Sequence, residues 1–339
     1  MDYSRGWKLI NNQIHLLKWG TDCLVSNGYS IKHSPEIVLS TPWSTVIRFS
    51  TSTGNVYLKQ TPPSIYLSLE PKLIRLLSEQ FHASVPVVIA INNDLYCFLM
   101  KDAGKSLRET LKAKFRPELL CQAIKQYAAI QRSTENHIET FFKLGVLDWR
   151  LGKLPILYDQ MINQSDFLRA EGITDKELQI LHDLSPQFLA QCTLLSNYGI
   201  PETLGYHDFH DNNVLIDPNT KRMTFIDWGE TSIIHPFFSL YTCLQQATTH
   251  HGVKEADQTY QKLQDACFEN WLGSTTKNQL LEVFILGKQL QPIYCVLTCY
   301  RCMTSVDLQA YKSYYANRPS QITRCLREYI GSSGKSFIN

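Results

Sequence analysis

Tyr206-His207-Asp208-Phe209-His210-Asp211-Asn212-Asn213-Val214-Leu215-Ile216 and, shortly after, Met223-Thr224-Phe225-Ile226-Asp227-Trp228-Gly229-Glu230 are the two stretches on which the reading of this chain turns. Each joins a polar cluster to a short apolar run of strand character. The runs Val214-Leu215-Ile216 and Thr224-Phe225-Ile226 would pair as a hairpin through the turn-forming Asp217-Pro218-Asn219-Thr220. Such a hairpin brings Asp208, Asn213 and Asp227 toward one end of a small structure, and two carboxylates with an amide oxygen suit a hard cation such as magnesium. The spacing is informative: Asn213 follows Asp208 by five positions and Asp227 stands two before Gly229. That is the D-x-x-x-x-N and D-x-G arrangement of kinase-type phosphoryl transfer.

Kinase chemistry makes a demand upstream: a lysine on a strand and an acidic residue on the next helix to hold it. Lys59 closes the strand-like run Val56-Tyr57-Leu58-Lys59, and Glu70 stands at the start of the helical pattern over 65–81. Around them, 37–39, 45–49, 55–59, 85–91 and 96–100 read as strands, and 5–25 as an amphipathic helix. From Lys105 onward helices dominate, over 106–114, 118–133, 155–170, 174–198 and 236–330, with a β-rich patch at 204–229 and a break or kink expected at Pro292.

Composition bounds the rest. The chain has 339 residues, 44% hydrophobic and 19% charged, with 33 Lys+Arg against 31 Asp+Glu. Disorder needs lower hydrophobicity and higher net charge, and the length favours two lobes. A formal charge of +2 without a basic block gives no footprint for nucleic acid. The longest apolar run, Val85–Ile91, is broken by Pro86 and too short for a bilayer, so no membrane partner is expected. The N-terminal MDYSRGWKLINNQ has no apolar signal core, and the ten cysteines are then expected as reduced, mostly buried residues of a cytoplasmic protein. Cys295, Cys299 and Cys302 fall on one helical face. His210 reads as a loop-propping histidine, Trp228 as a packing anchor, and His250-His251 as solvated surface.

Taken together, the motifs resemble the aminoglycoside-phosphotransferase-like family of small-molecule kinases, relatives of the choline kinases and of the protein-kinase fold. The family's H-G-D-L-H-x-x-N segment corresponds to Tyr206-His207-Asp208-Phe209-His210-Asp211-Asn212-Asn213, and its I-D-W/F-G segment to Ile226-Asp227-Trp228-Gly229. Pro42-Trp43-Ser44-Thr45-Val46, Leu99-Met100-Lys101-Asp102-Ala103-Gly104 and His235-Pro236-Phe237-Phe238-Ser239-Leu240 add to the likeness. The resemblance implies an α+β, two-lobed protein-kinase-like fold. Residues 1–101 would be a nucleotide-binding lobe, a small antiparallel sheet with one inserted helix and the extra helix at 5–25. Residues 102–339 would be a helical lobe carrying the catalytic loop 206–213, the metal segment 226–229 and the acceptor site. It implies an ATP-dependent enzyme that moves the γ-phosphoryl group to a hydroxyl of a small molecule. Asp208 would be catalytic, Asn213 and Asp227 the Mg2+ ligands, Lys59 the phosphate contact braced by Glu70, with Ser44 and Thr45 near the phosphates and Met100 flanking the adenine.

Departures from the family pattern are Tyr206 in place of the usual histidine, Asn212 in place of a small residue, and a loop at 49–56 with Gly54 as its one glycine. A nucleotide-binding pseudokinase is the alternative. A hydrolase with a metal held by His207, Asp208, His210 and Asp211 is a further one, which leaves Lys59, Asn213 and Asp227 unexplained. Residues 231–339 hold seven acidic and ten basic residues, net +3, which speaks against a polycationic acceptor. Asp148 and Asp159 are candidates for a local acidic pocket, so sugars, polyols, nucleosides, amino-alcohols and aminoglycoside-like compounds all stay in view.

Overall fold

A computed structural model describes residues 9–64, 66–316 and 318–333. It forms two compact units, neither continuous in sequence: Met1–Lys105 with Leu215–Gly229 and Cys302–Ala316, and Ser106–Val214 with Glu230–Arg301 and Asn317–Asn339. The segment holding Asp227 thus packs with the first hundred residues, although it follows residues 206–213 in the chain.

The first unit is built on an antiparallel sheet of β1 (Glu36–Ser40), β2 (Thr45–Thr51), β3 (Gly54–Gln60), β4 (Val88–Asn92) and β5 (Cys97–Lys101), in the order β1-β2-β3-β5-β4. Strand side chains alternate between faces. Ile47, Phe49, Val56, Leu58 and Leu99 turn to one side, where Leu16 and Leu24 of helix α1 (Leu9–Ser26) complete an apolar core. Gly20 permits that approach, because a Cβ there would lie 2.7 Å from the Phe49 ring. The first residues of the expected helix at 5–25 lie outside the described residues. Helix α2 (Glu70–Phe81) buries Pro71, Leu73, Ile74 and Leu77, the stripe its sequence spacing predicts. Its first residue is Glu70, also buried.

The expected hairpin forms between Val214–Ile216 and Met223–Phe225. Asp217 Oδ1 accepts from the backbone N–H groups of Asn219 and Thr220 and so builds the turn. The hairpin is tied into the first unit by Phe225 N–H donating to Ser84 O, and by Gly104, where a Cβ would meet Ile216 O at 2.2 Å.

The second unit is helical around a small sheet in which Thr231–Ile234 lies between Leu147–Asp148 and Thr203–Tyr206. Two expected helices prove to be pairs. The stretch 174–198 divides into Asp175–Asp183 and Ser185–Asn197, because Pro186 sits in the first turn of the second and cannot continue the first. The stretch 155–170 divides into Leu154–Ile162 and Ser165–Ala170. At Pro292 the expected break is absent: the helix Lys277–Thr304 runs through it. By length and composition alone this helix could cross a bilayer; most of its apolar stretch is buried inside the fold. All ten cysteines are reduced, and seven of them are buried.

Candidate functional site

Successive residues of β3 point to opposite faces, so Leu58 enters the α1 core and Lys59 turns away from it. There Lys59 Nζ lies 2.6 Å from Asp227 Oδ1, 3.0 Å from Glu70 Oε1 and 2.7 Å from Glu70 Oε2. Glu70 Oε1 also accepts from the backbone N–H of Trp228 at 3.2 Å, which binds the start of α2 to the Ile226-Asp227-Trp228-Gly229 segment. Burial works against the Lys59 ammonium, but Asp227 and Glu70 outweigh it and hold the group protonated well above the ordinary lysine range.

Asp227 adopts φ 66°, a left-handed conformation that costs most residues energy and that aspartate tolerates better than most. Its side chain is 45% exposed, with Oδ1 on Lys59. Trp228 beneath it is buried, its indole N–H on Phe225 O at 2.9 Å, the packing anchor that the sequence suggests.

Strand register corrects one sequence expectation. The family pattern implies a phosphate-facing loop at 49–56, around Gly54. Lys59 pairs with Val46 and Gln60 with Thr45, while Gly54 pairs with Thr51 at the other end of the ladder, roughly 17 Å along the strand at about 3.4 Å per residue. The loop on the Lys59 side is therefore the β1–β2 connection Thr41-Pro42-Trp43-Ser44. It is tightly closed: Thr41 N–H donates to Ser44 O and Ser44 N–H to Thr41 Oγ1. Trp43 fixes it from outside, donating its indole N–H to Cys302 O at 3.1 Å and meeting the rings of Tyr311, Tyr314 and Tyr315 at 5.3–5.9 Å. Ser44 is partly exposed and Thr45 buried; Met100 is partly exposed on β5, opposite Tyr57.

In the second unit Asp208 follows the strand Thr203–Tyr206. His210 Nε2 lies 3.0 Å from Asp208 Oδ1, and the Asn213 amide donates to Asp208 Oδ2 at 2.8 Å and to its carbonyl at 2.9 Å. Burial pushes the Asp208 carboxyl up, but His210, His207 and Asn213 overcome it and hold the group below the usual carboxylate range. Asn213 uses its N–H groups on Asp208, which leaves its Oδ1 to accept or ligate. Tyr206 replaces the family histidine without loss of anchorage: it is buried edge-on against Tyr127, onto which Phe209 stacks at 3.8 Å.

Beneath the loop lies a network that the sequence did not disclose. Asp211 is buried and receives Arg108 Nε at 2.8 Å and His251 Nε2 at 2.6 Å. His251, expected on the surface, has a buried side chain stacked on Phe115; His250 is the exposed member of the pair. Asn212 Oδ1 accepts from Ser106 Oγ at 3.1 Å. With Asp211 committed to Arg108 and His251, the four hydrolase ligands do not converge. Among the described residues no group of three His, Cys, Asp or Glu side chains could hold a metal ion.

The model of the phosphotransferase enzyme family, APH, matches residues 38–271. No curated protein matches the chain in sequence. Solved structures that resemble it include an ethanolamine kinase of Plasmodium vivax, 13% identical over 94% of this chain and 86% of that one, with a TM-score of 0.63. The GDP complex of wild-type aminoglycoside 2'-phosphotransferase-IIIa is 14% identical over 94% and 99%, TM-score 0.57. Macrolide 2'-phosphotransferase type I is 12% identical over 92% and 96%, TM-score 0.56. At these identities the likeness carries the fold, which is α+β and protein-kinase-like.

Proposed function

Because this chain belongs to the phosphotransferase enzyme family, we propose that it transfers the γ-phosphoryl group of ATP, bound with Mg2+, to a hydroxyl of a small molecule. The observation that carries the reading is the buried Lys59 ammonium shared between Glu70 and Asp227. A packed core has no use for a half-exposed carboxylate in a left-handed conformation beside a buried lysine, whereas phosphoryl transfer uses both groups.

Asp227 and Asn213 are the magnesium ligands in this reading. A magnesium ion held by them would neutralise charge that develops on the phosphate oxygens during transfer. Lys59 exchanges part of its contact with Asp227 for a phosphate oxygen, while Glu70 keeps it oriented and charged. Ser44 and Thr45 line the phosphate side of the β1–β2 loop, and Met100 flanks the adenine. Asp208, ionised at neutral pH and fixed by His210 and Asn213, receives the hydroxyl hydrogen of the acceptor and aims its oxygen.

The acceptor reading is a compact neutral or singly charged alcohol. Asp148 is chelated by Arg150 at 2.8 Å through both oxygens, which compensates its charge, while Asp159 accepts from Ser185 and is exposed. The test is ADP release over a panel of amino-alcohols, sugars, nucleosides, macrolides and aminoglycosides, with Asp208→Asn as the blank. At least one class is expected to exceed the blank. Nucleotide binding with no acceptor above the blank would favour the pseudokinase alternative instead.

A further inference from the structure

The ten cysteines are not alike. Burial pushes the thiols of Cys97, Cys192, Cys243 and Cys267 up. Cys295 differs. It lies on the helix Lys277–Thr304, and its Sγ is 2.9 Å from Sγ of Cys325 on the helix Gln321–Ser333. Cys299 Sγ, one helical turn on, is 3.9 Å away, and Gln321 Nε2 reaches both Cys295 and Cys325 at 3.6 and 3.8 Å. Cys295 is an electrostatic neighbour of His207, the residue immediately before Asp208, and the adjoining Tyr294 meets the His207 ring edge-on at 5.4 Å.

We propose that Cys295 and Cys325 are a redox modification site, closed to a disulfide by hydrogen peroxide, and that closure acts on the catalytic loop through His207. The two sulfurs need to approach by about 0.9 Å to reach the bonded distance of about 2.05 Å. Hydrogen bonds from Cys299 and Cys325, joined by His207, hold the Cys295 thiol well below its ordinary range in spite of burial, so Cys295 supplies the thiolate. Its sulfur attacks the peroxide O–O bond, giving a sulfenic acid and hydroxide, which takes up a proton to become water. Cys325 loses its proton as its sulfur attacks Cys295 sulfur and expels the second oxygen as water. Two thiols are oxidised, one peroxide is reduced, and two waters leave. A disulfide carries no negative charge, so His207 loses the partner that, with Glu230 and Asp208, pushes it up to about 9 against burial.

The bond itself is independent of the phosphotransferase reading; only its effect on turnover rests on that reading. The intact reduced protein is treated with hydrogen peroxide, alkylated and peptide-mapped, and the His207 imidazole is followed by NMR, assigned with a His207→Gln variant. A Cys295–Cys325 cross-linked peptide, lighter by two hydrogens and reversed by dithiothreitol, is expected in the majority of molecules. It is expected to persist in Cys299→Ser and to vanish in Cys325→Ser and Cys325→Ala. The His207 resonances are expected to move on oxidation and return on reduction. A Cys295–Cys299 link in its place, no link at all, or a Cys295–Cys325 link that leaves His207 unmoved overturns the proposal. Absence of ATP turnover in the reduced protein counts against the phosphotransferase reading alone, because the mass and NMR arms read the bond directly.

Discussion

Lys59 Nζ and Asp227 Oδ1 meet at 2.6 Å although 168 positions separate them in sequence. The contact is a product of register: β3 turns Lys59 away from the α1 core, and Trp228 N–H on Glu70 draws the Asp227 segment to the same place. Two substitutions should separate structure from chemistry here. Lys59→Met leaves Glu70 buried and unpaired, at a cost of about 3–5 kcal/mol in urea unfolding. Asp227→Asn keeps the Lys59–Glu70 pair and should cost no more than about 1 kcal/mol. Adding Glu70→Leu to Lys59→Met should restore much of the loss, as a double-mutant cycle would register.

Asp208→Asn keeps the loop's shape but removes the charge that aims the acceptor hydroxyl. Turnover should fall about 10²–10⁴-fold, with nucleotide affinity by calorimetry nearly unchanged. Unchanged turnover, or lost nucleotide binding, would mean that the roles are misassigned.

Asp211 ties the loop to Arg108 and His251, and removal of one partner leaves a buried carboxylate short of a hydrogen bond. His251→Ala should cost about 1–3 kcal/mol and speed amide hydrogen exchange across 208–213. His250→Ala, one residue earlier and exposed, should stay within about 0.5 kcal/mol of wild type.

His235 gives a pH signature. It is fully buried, caps the helix Pro236–His251 by accepting Phe237 N–H at Nδ1, and burial lowers its pKa to about 3. The unfolded chain binds a proton on this residue near pH 6.5 and the folded one does not. Its stabilising contribution is therefore complete above about pH 6.5 and is lost as pH falls toward 3. Between pH 6.5 and 5 the loss should be about 1.5 kcal/mol. His235→Asn, which retains a capping acceptor, should flatten that part of the stability profile.

The sequence order Lys59, Glu70, Asp208, Asn213, Asp227 was legible because kinase chemistry fixes residue types and their succession, and the local hairpin followed from its turn residues. Loop placement was not, because Gly54 marks a hairpin, and only the pairing of Lys59 with Val46 shows that the opposite end of β2 lies beside the lysine. His251 and Cys325 were hidden for a related reason. Each draws its significance from one partner, Asp211 or Cys295, that lies 40 or 30 positions away and leaves no local pattern. Pro186 and Pro292 show the limit of a punctuation rule: the first separates two helices, while the second is carried within a helix whose neighbouring Gln291, Ile293 and Tyr294 are buried.

Calorimetric titration of ATP, with and without magnesium, into wild type and Asp227→Asn tests the central claim most directly. The account predicts magnesium-dependent binding to wild type and loss of that dependence in Asp227→Asn. Wild-type protein that binds no nucleotide, or binds it equally with and without magnesium, would contradict it.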